Sequence, residues 1–588
     1  MFRVFKNLKA RDVFFILICA GLVILQVWLD LTMPDYTQKL IESVSAGSVD
    51  MGKVFENGGM MLLCAVGSMA ASIFCGFFAA QVAANFARTL RERLFGHILR
   101  FSNAEINRFS TPSLITRTTN DVVQLQMLIA MGLQMMIKAP ITAVWAIAKI
   151  STSSAEWTTA MFVCVAVIIV TISLLVLLAY PKFKSIQKLT DNLNDVTREN
   201  ISGVRVVRAF NAEKYQEKKF SKVNEAITSN HLFTSRVMGL MMPVMMMAMN
   251  GMTLAIYWIG AYLINNTEIT GRAEVIGNMT AFTQYAMQVV GAFMMLVMIF
   301  IIMPRTMVSA KRIDEVLETV PTVDYKSEPV KTSGRGRIEF KNVSFAYSDS
   351  GTPCLKNMSF EINSGETFAI IGATGTGKSS LVNLIPRYYD VTDGEILIDG
   401  VNIKDYPEDQ LESIVSVAPQ KATLFSGDIK SNITYGCKED VPDSDDRIKR
   451  SLEISKSDFV ENLADSIHSK VAQGGTNYSG GQKQRLSIAR AVFKDAEIII
   501  FDDTFSALDY KTDMLVRKSV RERLSDKTVI IVAQRIGTIR NADKIMVLHD
   551  GEIAGIGKHD ELMNNCEIYR EIALSQLSEE ELSGKESA

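Results

Sequence analysis

The residues best suited to chemistry lie in the second half of the chain. Phe368-Ala369-Ile370-Ile371 is a short apolar run. It passes into Gly372-Ala373-Thr374-Gly375-Thr376-Gly377-Lys378-Ser379, and Ser380 continues into an amphipathic helical pattern. Glycines let main-chain N–H groups approach an anion closely, and the start of the following helix adds a favourable dipole. Lys378 would reach the β- and γ-phosphates of a nucleotide, and the Ser379 hydroxyl would ligate Mg²⁺. The strand–loop–helix setting separates this motif from a chance glycine-rich turn. Further on, Ile498-Ile499-Ile500-Phe501-Asp502 is an apolar run ending in a carboxylate. Asp502 would hold Mg²⁺ through water, although a buried strand alone is equally apolar. Between the two, Tyr478-Ser479-Gly480-Gly481-Gln482-Lys483-Gln484-Arg485 precedes a helical pattern from Leu486 to Val492. Ser and Gly at a helix start offer donors to an anionic γ-phosphate; a plain N-cap turn is the other reading.

These residues must be positioned by a chain of 588 residues, long enough for several domains. Hydrophobic residues make up 48% and charged residues 21%, and the formal net charge is −2. The apolar content excludes a disordered chain, and the balanced charge argues against nucleic acid as the main partner. Seven cysteines are scattered without a C-x-x-C pair, which excludes a disulfide framework or zinc site and leaves ordinary reduced thiols.

The apolar residues are unevenly distributed. A membrane-crossing helix needs about 20 mostly apolar residues. Six such stretches occur before Met307: Asp12–Leu31, Gly58–Val82, Met127–Ile150, Ala160–Tyr180, Leu240–Ile264 and Met279–Met303. Arg3, Lys6, Lys9 and Arg11 precede the first stretch, which places the N-terminus in the cytoplasm. The basic segments between stretches two and three, and four and five, are inside by the same rule, and so is everything after the sixth. The fold expected is an all-α six-helix transmembrane domain, residues 1–318, with helices continuing past the membrane surface. A linker, 319–336, leads to a cytoplasmic α/β P-loop ATPase domain, 337–580, and a polar tail, 581–588. Half of the 30 methionines fall between Met238 and Met307, suiting either a cavity for varied amphipathic compounds or ordinary helix packing. Lys138, inside the third stretch, is a costly charge there: it is functional, or its ammonium snorkels to the surface. Gln284, Tyr285 and Gln288 on the sixth stretch are candidates to line a path.

The Ser479-Gly480-Gly481-Gln482 run closely resembles the LSGGQ signature of ABC ATPases, with Tyr478 in place of Leu, and lies between the other two motifs in that family's order. The likeness then extends over the whole chain. Tyr347 matches the aromatic residue that stacks on adenine. Gln420 matches the Q-loop, which senses Mg²⁺ and faces the membrane domain. Ser506-Ala507-Leu508-Asp509 matches the D-loop. Six stretches followed by one such domain resemble an ABC exporter half-transporter, most like bacterial heterodimeric multidrug exporters. The resemblance implies ATP and Mg²⁺ as ligands, a plasma-membrane location and alternating access driven by ATP. It also implies coupling helices at Thr111–Asp121 and Gly203–Phe210.

Two positions depart from the family pattern. The residue after the Mg²⁺-binding carboxylate is usually Glu, which polarises the attacking water; here it is Asp503. The switch position, usually His, is Gln534. Gln can hydrogen-bond a γ-phosphate but can be neither a cation nor a proton carrier at neutral pH. Family members pair head to tail, each ATP lying between the Walker half of one domain and the signature of the other. The resemblance therefore implies a second half-transporter that supplies the missing Glu and His, while Ser479–Gln482 complete its competent site. The expected function is ATP-driven export of hydrophobic or amphipathic compounds. An ATP-gated protein that does not pump and a peptide or lipid exporter are the alternatives.

Overall fold

The computed structural model describes residues 9–45, 50–151, 155–268, 271–330, 332, 335–347, 351–437 and 444–576. The polar tail 581–588 and linker residues Ser333 and Gly334 lie outside them. The chain divides into two compact units. One comprises residues 1–97 and 114–318; the other comprises residues 98–113 and 319–588.

Among its described residues the first unit forms helices without strands. Its elements are α1 (Ala10–Ser45) and α2 (Met51–Ile98), then, past α3 (Asn103–Phe109) of the second unit, α4 (Thr111–Thr118) and α5 (Asn120–Met127), a π-helical turn at Leu128–Gly132, and α6 (Leu133–Ser151). There follow α7 (Ala155–Ser202), α8 (Val204–Ala209), α9 (Glu213–Gly239), α10 (Met241–Asn266) and α11 (Arg272–Glu318). Among the described residues six helical stretches are long and apolar enough to cross a membrane, and each contains one of the six read from the sequence. The expected extensions are present: α2 and α7 each run 48 residues, about 70 Å at 1.5 Å per residue. Pro34, Pro140, Pro181 and Pro304 all lie inside long helices, where packed neighbours can re-satisfy the freed carbonyls. The core holds Val23, Val27, Ile150, Trp157, Ile256 and Val289, drawn from five of the six long stretches.

Polar side chains also join these helices. Asp121 of α5 accepts from Ser309 Oγ of α11 at 2.9 Å and faces Arg312 at 3.3 Å. Arg117 of α4 pairs with Glu315 at 3.0 Å. The last turns of α11 are therefore fastened to α4 and α5.

Among its described residues the second unit carries three sheets. Its strands are β1 (Ile338–Phe345), β2 (Leu355–Ile362), β3 (Thr367–Ile371), β4 (Asp393–Ile398), β5 (Val401–Asn402), β6 (Val415–Ala418), β7 (Gly427–Asp428), β8 (Lys470–Val471), β9 (Ile498–Asp502), β10 (Thr528–Val532), β11 (Lys544–His549) and β12 (Glu552–Gly557). The order β12-β11-β3-β10-β9-β6 is parallel except for β12. An antiparallel sheet β2-β1-β4-β5 packs its apolar face into the same core, and β7-β8 form a small pair. The helices are α12 (Lys378–Leu384), α13 (Glu408–Ile414), α14 (Ile429–Ile433), α15 (Ser444–Ile454), α16 (Gly480–Phe493), α17 (Tyr510–Arg523), α18 (Ile536–Ile539), α19 (His559–Asn565) and α20 (Glu567–Leu574). Strands β9 and β10 are buried at every position, as expected of parallel strands covered on both faces.

Residues 98–113, which include α3, belong with the second unit. The bounds of α3 are set locally. Ser102 and Glu105 form a capping box that starts α3, and Ser110 at φ 62 ends it. The Asn107 amide donates to Tyr389 Oη at 3.3 Å, and Glu105 accepts from the Thr322 N–H at 3.3 Å.

Candidate functional site

The site gathers where parallel strands end. In the β9–β10 ladder Asp502 faces Val532, and in the β6–β9 ladder Ala418 faces Phe501. Residues just past these strand ends must therefore meet along one sheet edge. Gln420 follows β6, Asp502 and Asp503 close β9, Gln534 follows β10, and residues 372–377 follow β3. This edge is the usual ligand position in an open parallel sheet.

The loop after β3 needs glycine for steric reasons. A Cβ on Gly372 would lie 2.2 Å from the Leu548 carbonyl oxygen. Gly377 caps α12 at φ 96, in the left-handed region that favours glycine. Gly372→Ala is therefore expected to weaken ATP binding by at least about tenfold, since even 1.4 kcal/mol of displacement costs that much. Titration with a fluorescent ATP analogue checks this, and wild-type affinity would refute it.

Lys378 Nζ donates to the Gly372 and Ala373 carbonyls at 2.8 and 2.7 Å. Burial lowers its pKa, while Asp503 and Asp502 oppose that shift. Ser379 Oγ donates to Asp502 Oδ1 at 3.0 Å. Burial raises the Asp502 pKa and the neighbouring Asp503 charge adds to it; the Ser379 hydrogen bond and Lys378 oppose the rise. A hydroxyl beside a buried carboxylate is a hard oxygen donor pair suited to Mg²⁺.

Asp503 sits at φ 47 and is 7% exposed. Its Oδ2 accepts from both Gln420 Nε2, at 3.0 Å, and Gln534 Nε2, at 2.8 Å. The two positions that depart from the family pattern are thus bonded to each other.

Tyr347 Oη lies 2.7 Å from Ser380 Oγ, and its ring meets Tyr389 edge-on at 5.4 Å. Since Tyr389 also receives the Asn107 amide, a run of side chains connects α3 to the start of α12. Neither Asn107 nor Tyr389 was identified from the sequence. The capping box at Ser102 was the signal available for α3.

Ser479 and Gln482 form a capping box at the head of α16, with Ser479 Oγ accepting at 3.3 Å. Ser479 and Gly480 are exposed, and a Cβ on Gly481 would lie 3.6 Å from the Ala507 carbonyl oxygen. Asp509 caps α17 through the Thr512 N–H at 3.0 Å, and that bond holds its pKa below the usual range.

In the helical unit, Lys138 is paired with Asp30 at 3.1 Å, and Lys149 with Asp35 at 2.6 Å. Tyr285 Oη donates to Asp35, Gln288 Nε2 to the Asp30 carbonyl at 2.9 Å, and Ser68 Oγ to Asp30 at 2.5 Å. The cluster ties α1, α2, α6 and α11 together. The methionines divide: Met245 and Met252 are buried between helices, whereas Met242, Met246 and Met247 are exposed.

Comparison with known proteins covers both units. Residues 15–306 match the ABC transporter transmembrane region, and residues 355–506 match the ABC transporter family. An uncharacterized ABC transporter ATP-binding protein of Mycobacterium tuberculosis (strain ATCC 25618 / H37Rv) is 37% identical, over 91% of this chain and 89% of its own length. A multidrug resistance ABC transporter ATP-binding and permease protein of Lactococcus lactis subsp. lactis (strain IL1403) is 29% identical, over 98% and 95%. In structure the chain is similar to a bacterial Atm1-family ABC exporter with ATP bound. That match has a TM-score of 0.80 and 22% identity, and covers 97% of this chain and all of the other.

Proposed function

The chain belongs to the ABC transporter family, and on that premise we propose that it is the degenerate half of a two-chain exporter. Membership makes it a multi-pass membrane protein whose ATPase domain couples ATP hydrolysis to transport. The proposed cargo is a hydrophobic or amphipathic compound taken from the cytoplasm or inner leaflet. The likeness to the Lactococcus protein supports a multidrug range. The N-terminus and ATPase domain are proposed to face the cytoplasm.

The observation that carries the reading is the hydrogen bonding of Asp503. Its carboxylate ends about one bond length, 1.5 Å, short of where a Glu would place it. Two glutamine amides also converge on one of its oxygens. An oxygen that already accepts two N–H groups has less lone-pair capacity left to receive a water. Gln534 supplies no proton and no positive charge. Residues 372–377, Lys378 and Ser380 would hold the triphosphate, with Mg²⁺ on Ser379, Asp502 and Gln420. Tyr347 would stack on the adenine. Ser479–Gln482 would act toward the partner's ATP, and Asp509 at the shared interface. The exposed Val206 and Phe210, in and after α8, offer an apolar tip for the partner half-transporter.

The test is Mg-ATP turnover of the detergent-purified chain alone, with its oligomeric mass measured in the same preparation. Negligible turnover, restored when a second half-transporter is added, is the expected result. Brisk turnover by a stable homodimer would overturn it.

A further inference from the structure

The switch loop is held from outside. Gln534 and Arg535 connect β10 to α18, a helix of four residues whose N-cap, Arg535, makes no capping bond with its side chain. The first N–H groups of such a helix need acceptors from elsewhere. Gln576, forty residues further along the chain, provides one: its Oε1 accepts from the Ile536 N–H at 2.8 Å. The same amide donates from Nε2 to the Gln534 carbonyl oxygen at 2.7 Å. A single planar amide thus grips the main chain on both sides of Arg535. The Gln534 side chain in turn reaches Asp503 at 2.8 Å.

Gln576 is itself well anchored. It lies two residues past α20, whose Tyr569 and Ala573 are fully buried in the core behind the parallel sheet. Tyr569 Oη also lies 2.8 Å from His559 Nδ1, joining α20 to α19.

We infer that Gln576 is a positioning residue for the switch loop, by which the C-terminal segment sets how long this chain's own site retains nucleotide. The inference rests on the reading of Gln534 as the switch position. A bidentate grip fixes the Gln534 Cα, so its amide stays on Asp503 rather than swinging away. The Gln amide carries a donor and an acceptor in one planar group, and Asn is one methylene too short for this reach.

The test uses the full-length chain, together with any half-transporter that purifies with it. Hydrogen–deuterium exchange is followed on the switch-loop peptide, and release of bound Mg-ATPγS is timed on the same sample. Gln576→Ala is expected to speed Ile536 amide exchange and to shorten nucleotide retention, each by about three- to tenfold, the weight of a typical net hydrogen bond. Gln576→Glu keeps the acceptor but loses the donor, so Ile536 stays protected while retention still falls. Truncation after Gln576 should leave both readings at wild-type values. Wild-type exchange and retention in Gln576→Ala would overturn the inference, as would loss of both in the truncated chain. Turnover is read separately: brisk hydrolysis by the wild-type chain would sink the degenerate-site reading, while exchange and retention would still decide the role of Gln576.

Discussion

Lengthening a single side chain, Asp503→Glu, is expected to raise Mg-ATP turnover at this chain's own site by on the order of 10²-fold. A catalytic group misplaced by about 1 Å commonly costs that factor, and general-base contributions run from roughly 10² to 10⁴. The longer carboxylate would also escape the geometry in which Gln420 and Gln534 share Asp503 Oδ2. One term opposes the gain. Position 503 has φ 47, where Asp is tolerated better than Glu at a cost of about 1 kcal/mol. Asp503→Glu combined with Gln534→His should exceed either change alone, because the imidazole frees the carboxylate and adds a proton carrier. Turnover is measured with and without the partner half-transporter. A double variant no faster than wild type would overturn the degenerate-site reading.

The second large effect is expected in the helical unit. Lys138→Leu leaves the Asp30 carboxylate, which now has Lys138 at 3.1 Å, without its counter-charge among apolar helices. Breaking such a pair from one side typically costs about 3–5 kcal/mol, whereas replacing both partners with apolar residues is often neutral. The pair is not fully enclosed, with side chains 19% and 26% exposed, so the lower end, about 3 kcal/mol, is expected. Asp30→Leu/Lys138→Leu should recover most of that loss. Thermal unfolding of the three variants in one detergent closes the double-mutant cycle. Single variants as stable as the wild type would show that the pair contributes nothing.

The residues that gather at the ends of the parallel strands were largely readable from the chain. A glycine-rich loop after a strand, a carboxylate at a strand end and a residue past a neighbouring strand all lie on one edge, because parallel strands in register end together. What the sequence could not convey was pairing between distant segments. Lys138 stood out as an isolated charge, but its partner Asp30 sits at the end of another apolar stretch, where acidic residues are unremarkable. Gln576 carried no signal, since an exposed glutamine after a short amphipathic helix is ordinary. Helix α3 is a different case: its signal, the Ser102–Glu105 capping box, is local and was available in the sequence.

The ion pairs that fasten α4 and α5 to α11 bear on how the chain passes between its two units. The backbone crosses at 97/98, 113/114 and 318/319. The second and third crossings lie within a few residues of Arg117 and Glu315, which are paired at 3.0 Å. A lone peptide tether transmits tension but swivels freely under torsion. Two tethers clamped together at one end resist twisting, as a strap resists where a string does not. Inside the helical unit, α11 and the α4–α5 segment then act as a couple, and a twist applied to either is carried by both.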